Sequence, residues 1–170
     1  MSELPPRAED SVLAVSASSV INAPIEKVWE VLLDFPAYPE CRRQTVVDAH
    51  GQPVPDQTPS VGSLLQLTAH LPPTTGRAAL ASTQRLRVTV LDGAAHRVAW
   101  QNRMPPWLLR TDRWQWLVPA DGGVTRYETL EVFDGPLAYL VRWFVRGALE
   151  RGFRAMADGL KARAEGLPRA

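Results

Sequence analysis

The stretch "DRWQWLVPADGGVTRYETLEVFDGPL", residues 112–137, decides the reading of the fold. Its first part alternates: Trp114, Trp116 and Val118 stand against Arg113 and Gln115, the period of a strand with one apolar face. Asp121-Gly122-Gly123 then reads as a hairpin turn, since glycine accepts the left-handed backbone that such turns require. Residues 124–133 form the second strand, with Tyr127, Thr129 and Glu131 on one side. Asp134 or Gly135 caps a helix, and Pro136 sits near its start, where the missing donor has no partner to lose.

That helix runs to about Ala164, roughly 45 Å at 1.5 Å per residue. Leu137, Val141, Phe144, Ala148, Gly152 and Ala155 mark one stripe, widened toward the C-terminus by Leu149, Phe153, Met156 and Leu160. Arg146 with Glu150, and Glu150 with Arg154, are i,i+4 pairs for the wet side. A helix this long needs a long apolar partner, and a sheet is the partner that the rest of the chain supplies.

Upstream, "SVLAVSASSVIN" (11–22) is small and β-branched and reads as a strand. "INAPIEKVWEVLLDFPAYPE" (21–40) follows: Asn22 stands as a helix cap, Pro24 lies in the first turn, and Ile25, Val28, Trp29 and Leu32 share a face. Pro36 and Pro39 end this helix after about three turns. "TVVDAHG" and residues 62–70, 82–93, 95–103 and 109–119 alternate as further strands. The order is strand, helix, about six strands, long helix. This is an α+β arrangement in which a curved antiparallel sheet of six to seven strands wraps the C-terminal helix. The gap between a curved sheet and a straight helix is a natural ligand cavity.

The 170 residues are read as one domain over 11–166, with tails at 1–10 and 167–170. A net charge of +1 gives no case for nucleic acid. Seventeen of the 19 basic residues are Arg, so only Lys27 and Lys161 are candidates for lysine chemistry. Cys41 is alone, which sets aside a disulfide framework. The polar N-terminus lacks the layout of a signal peptide, and no apolar run reaches the ~18 residues of a membrane span. The expectation is a cytoplasmic protein without stable membrane insertion.

Two motifs carry a family resemblance. "INAPIEKVWEVLLDFPAYPEC" (21–41) and the hairpin-to-helix stretch quoted first resemble the START-like helix-grip superfamily, also called SRPBCC. Within it, the chain looks most like the bacterial polyketide cyclase/dehydrase and lipid-transport group. The pattern Thr125-x-Tyr127-x-x-x-Glu131-x-Phe133-x-Gly135-x-Leu137 is the most specific part. The resemblance spans about residues 11–164 and implies the helix-grip fold. It leaves activity open, because the superfamily hosts carriers, cyclases and binding proteins alike. In such a fold the prolines of 36–39 mainly set the exit angle of the first helix; Tyr38 at the cavity mouth is the alternative.

No GxGxxG, GxxxxGK, GxSxG, HExxH or CxxC is present, and His50, His70 and His96 lack metal-ligand spacing, so neither cofactor nor metal is expected. If Trp114 and Trp116 face the cavity, Asp112 shares their face, and the resemblance turns Tyr127, Thr129 and Glu131 inward as well. Asp112, Glu131 and Tyr127 are then the catalytic candidates, since a carboxyl group without a cation in an apolar pocket holds its proton and can pass it on. Against this, Asp112 and Glu131 can pair with Arg110 or Arg126, and a slip of one residue sends the whole set to solvent. For the ligand lining, the sheet offers Leu67, Val88, Val98, Trp100, Trp114 and Trp116, with Tyr127 and Thr129 beside them. The helix adds Phe144, Ala148 and Met156. "MPPWLLR" (104–110) sets Trp107 behind two prolines, as a lid that touches ligand, a homodimer or membrane contact, or a loop folded back on the sheet. "LPPTTGRAALAS" (71–82) is placed across the opening from it.

The leading reading is a binder or carrier of a small hydrophobic molecule: a lipid, an isoprenoid or a polyketide-like aromatic. A cyclase, aromatase or dehydratase using the cavity carboxylates is the first alternative. A protein-interaction module with a filled interior is the second.

Overall fold

The computed structural model describes residues 4–38, 42–71 and 80–166. Of the 71–82 loop expected opposite Trp107, residues 72–79 lie outside them, while Leu71 ends one strand and residues 80–82 begin the next. Seven strands form one antiparallel sheet: β1 (Leu13–Ile21), β2 (Arg42–Val47), β3 (Leu64–Leu71), β4 (Leu80–Asp92), β5 (Arg97–Asn102), β6 (Arg110–Ala120) and β7 (Val124–Asp134). Their spatial order is β1-β7-β6-β5-β4-β3-β2. The first strand therefore leaves one edge, the chain crosses by helix α1 (Ile25–Leu33) to the other edge, and a continuous meander returns to pair with β1. A bulge between Val88 and Val90 shifts the register of β4 against β5. Such an extra residue bends a strand and increases its twist, which is how a seven-stranded sheet curls. The chain has the helix-grip architecture.

The long helix is continuous from Pro136 to Glu165, but it is not one regular helix. It comprises α2 (Pro136–Leu140), a π turn (Val141–Val145) and α3 (Arg146–Glu165). The π turn takes up extra residues per turn and so rotates the faces of α2 relative to those of α3. Its effect appears in the stripe. Ala138, Phe153, Met156, Ala157, Leu160 and Ala164 are buried, whereas Phe144, expected in that stripe, is 78% exposed. Ala155 is exposed as well, and Ala148 is half-buried.

The main core joins the concave face of the sheet to α1 and α3, through Val28, Leu32, Leu65, Val88, Leu117 and Leu160 among others. A second cluster of Leu13, Val15, Phe133, Ala138 and Phe153 anchors the start of the long helix to β1 and β7. The far end of the helix is tied by polar groups. Glu165 Oε1 accepts from Asn22 N at 2.6 Å, and Arg163 Nη2 reaches Asp34 Oδ2 at 3.2 Å. The Arg163 guanidinium lies 5.0 Å over the Tyr38 ring, whose hydroxyl donates to Leu32 O. The proline-rich exit of α1 is thus the dock for the C-terminal end of the long helix. Asn22 does not cap α1: Pro24 holds that position, and its ring carries no group that could accept a hydrogen bond.

β2 is an edge strand, and its open side is covered from within the chain. Gln57 folds back so that its Oε1 accepts from Val46 N at 2.9 Å and its Nε2 donates to Val46 O at 3.1 Å. Val54 N donates to the same carbonyl.

Gly135 has φ +96°, and a Cβ there would lie 2.8 Å from Leu108 O. Both the left-handed backbone and the contact with the 104–109 loop require glycine. Gly135→Ala is expected to lower stability by about 1–3 kcal/mol, read as a fall in the urea midpoint. An unchanged midpoint would show that the loop does not seat on this residue.

Candidate functional site

Cross-strand partners in an antiparallel ladder share a face. Leu117 pairs with Tyr127, Gln115 with Thr129 and Arg113 with Glu131, while Trp100 and Val98 pair with Arg113 and Gln115 on the other side. These residues form the concave wall. Tyr127 and Leu117 belong to the same buried cluster as Met156, Val98, Trp100, Val88 and Leu67.

This ladder corrects the expectation for β6. Trp114 pairs with Leu130, Trp116 with Glu128 and Asp112 with Val132, so all three stand on the convex face. They do not share a wall with Tyr127, Thr129 and Glu131. Asp112 is held there by Gln101 Nε2 at 2.8 Å and Arg110 Nη2 at 3.1 Å. Trp114 is buried under the N-terminal segment: a hollow of about 130 Å³ is lined by Leu4, Pro6, Trp114, Asp112 and their neighbours. Trp116 borders a shallow convex depression of about 420 Å³ with Ser16, Ser18 and Glu128. Two residues placed in the ligand lining are instead on the surface, Phe144 and the loop residue Trp107, the latter 74% exposed.

The wall that does face inward carries a polar row. Tyr127, fully buried, donates its hydroxyl proton to Gln115 Oε1 at 2.7 Å. Thr129 Oγ1 donates to Trp114 O at 3.0 Å. Next along the row is Arg113, only 3% exposed. Its guanidinium lies 4.1 Å over the Phe153 ring, Nη1 is 3.8 Å from Glu131 Oε2, and Nη2 donates to the Met156 thioether at 3.1 Å. Nε has no hydrogen-bond partner among the described residues. A thioether is a weak acceptor, and 3.8 Å is beyond hydrogen-bond range, so a group with five donors is poorly served.

Arg113 and Gln115 are the inward-facing polar residues that apolar spacing did not single out. The signal was present in the turn. A turn centred on Gly122 pairs positions equidistant from it, which sets Arg113, Gln115 and Leu117 opposite Glu131, Thr129 and Tyr127. The bulk of the two tryptophans outweighed that count.

His96 has a structural setting, with Nε2 3.2 Å from Glu26 Oε2 and its ring edge-on to Trp29. Among the described residues no group of His, Cys, Asp or Glu is placed to hold a metal ion.

A fold in which a curled sheet and α1 hold a long C-terminal helix over a closed concave wall defines the helix-grip class of proteins. The chain belongs to the polyketide cyclase/dehydrase and lipid transport family, whose model matches residues 13–165. A curated relative, oxopyrrolidines biosynthesis cluster protein O of Penicillium oxalicum, is 28% identical, with 94% of this chain and 90% of that protein covered. Among solved structures, a hypothetical protein of Helicobacter pylori superposes with a TM-score of 0.71 at 15% identity, covering 96% of this chain and 97% of that one. The ZhuI aromatase/cyclase of a Streptomyces species gives 0.63 at 16% identity, covering 89% and 93%. At such identities these structures share the fold.

Tyr127→Phe removes the donor to Gln115 and leaves a buried amide oxygen without it, at an expected cost of about 1–3 kcal/mol. Adding Gln115→Leu should recover part of that loss in a denaturation series. If the two changes simply add, Gln115 and Tyr127 do not depend on each other.

Proposed function

We propose that the chain binds a small hydrophobic molecule between the concave sheet face and α3, and that Arg113 anchors an oxygen acceptor on it. The observation that carries this reading is the buried guanidinium with an unpartnered Nε. Burying an arginine against a phenyl ring and a thioether, with its carboxylate partner Glu131 at 3.8 Å, adds little to stability, because desolvation offsets the gain. A carbonyl, carboxylate or phenolate oxygen would complete its bonding and fix the orientation of an otherwise apolar ligand. Family membership supports a lipophilic ligand, and the biosynthetic-cluster relative supports one made by secondary metabolism.

The wall residues are packed together here, with Val88, Val98, Trp100 and Tyr127 almost wholly buried. A ligand therefore enters by displacing side chains from the wall, and Met156 and Phe153, which sit on Arg113, are the ones to move. A cyclase reading loses Asp112 to the convex face, finds the Tyr127 proton already engaged and keeps Glu131 only beside the Arg113 cation, so binding is the better account of this arrangement.

The test is native mass spectrometry of the purified protein with solvent extraction, alongside Arg113→Met/Glu131→Gln. Wild type should carry a small lipophilic, oxygen-bearing molecule that the double variant loses, while its melting temperature stays within a few degrees. A variant that melts early yet retains the molecule would make the pair structural. A wild type free of any small molecule, even after incubation with lipid and aromatic extracts, would favour an interaction module with a filled interior.

A further inference from the structure

The most apolar exposed surface lies at the start of the long helix. Tyr139, Leu140, Trp143 and Phe144 on the helix, and Met104 and Trp107 on the β5–β6 loop, are all exposed large hydrophobic residues. The two segments meet, since Leu137 N donates to Leu108 O at 3.2 Å. An exposed apolar group of this size on one end of a small domain marks a contact site.

The charges carried by these two segments are all arginines, with Asp112, Asp134 and Glu150 at their margins. Residues 103–111 and 135–149 contain Arg103, Arg110, Arg142 and Arg146 and not one Asp or Glu. Arg110 is engaged by Asp112 and Arg146 by Glu150, but Arg103 and Arg142 have no ion pair among the described residues. What remains at this end for an anionic partner is the pair Arg103 and Arg142, on a chain whose net charge is only +1. The π turn is part of the same surface, since it covers Val141–Val145 and thereby presents Trp143 and Phe144 to solvent, 74% and 78% exposed. Irregular turns of this kind are frequent where a helix serves a purpose beyond packing.

We infer that this end of the molecule docks on an anionic lipid surface. Tryptophan and tyrosine favour the boundary between headgroups and acyl chains, and arginine stems lie along apolar material while their heads meet phosphate. A short amphipathic segment with aromatic residues on one side and arginines at its margin lies in that boundary without crossing it. No helix among the described residues is long and apolar enough to cross a membrane, so the contact is peripheral. An acidic protein partner would satisfy the arginines but not four exposed aromatic rings. A second copy of this chain would bring the same positive charge to itself. The surface is independent of whether Arg113 binds a ligand.

The experiment is co-sedimentation of the full chain with phosphatidylcholine vesicles, with and without a third of phosphatidylglycerol. Binding is expected to the anionic vesicles alone and to weaken in raised salt. Trp143→Ala/Phe144→Ala should reduce the partition coefficient by about tenfold or more, because two aromatic side chains leave the boundary region. Both residues are exposed, so the variant's thermal melt should match wild type. Trp107→Ala should give a smaller loss in the same direction. No sedimentation with anionic vesicles, or sedimentation that the double variant leaves unchanged, would overturn the inference. A wild-type dimer that the double variant converts to monomer, without vesicle binding, would assign the surface to a second copy instead.

Discussion

Gly122 stands at the centre of the β6–β7 turn, and positions equidistant from it pair across the ladder, so Leu117 must face Tyr127 and Arg113 must face Glu131. Much else depends on that register. It gives the concave wall a polar row inside an apolar lining, and it sends Trp114 and Trp116 to the convex face. A shift by one residue would bring the tryptophans inward and expel the arginine. The price of the observed register is a buried guanidinium, which the core meets with a phenyl face, a thioether and a carboxylate 3.8 Å away.

The long helix is held unequally along its length. Its C-terminal end is fastened by Glu165 to Asn22 and by Arg163 to Asp34 and Tyr38. Its N-terminal part is held by the smaller cluster around Ala138 and Phe133 and is interrupted by the π turn. Stability along a helix tracks such differences in packing, so the two ends open with different free energies. The loosely held end is also the aromatic one. A molecule that must admit a ligand under its helix and one that must touch a lipid boundary would place their mobility at the same end.

Much of the architecture was legible because alternation and turn residues repeat with one message. Strand positions, the two-helix plan and the family resemblance all come from apolar spacing and from glycine and proline at turns. The lining was less legible, for a local reason. Both faces of β6 carry large residues, and periodicity assigns a face only when one side is clearly apolar. Phe144 misled for a different reason: helix spacing assumes a constant rise and rotation, and the π turn breaks both. Asn22 looked like a cap by residue type, yet its backbone is engaged by Glu165 from the other end of the chain. Contacts of that separation leave no local pattern.

The covering of β2 has a consequence for how copies of this protein behave together. A bare strand edge is a template on which another chain can add its own strand. Here Gln57 copies a neighbouring strand's donor and acceptor with a single side-chain amide, and Val54 adds a backbone donor at the same carbonyl. Sheet growth is stopped at Val46, beside the bridge between Val47 and Pro53 and with Arg42 and Arg43 at the start of the strand. At this edge the strand that another molecule would add is already replaced by the chain's own residues 54 and 57.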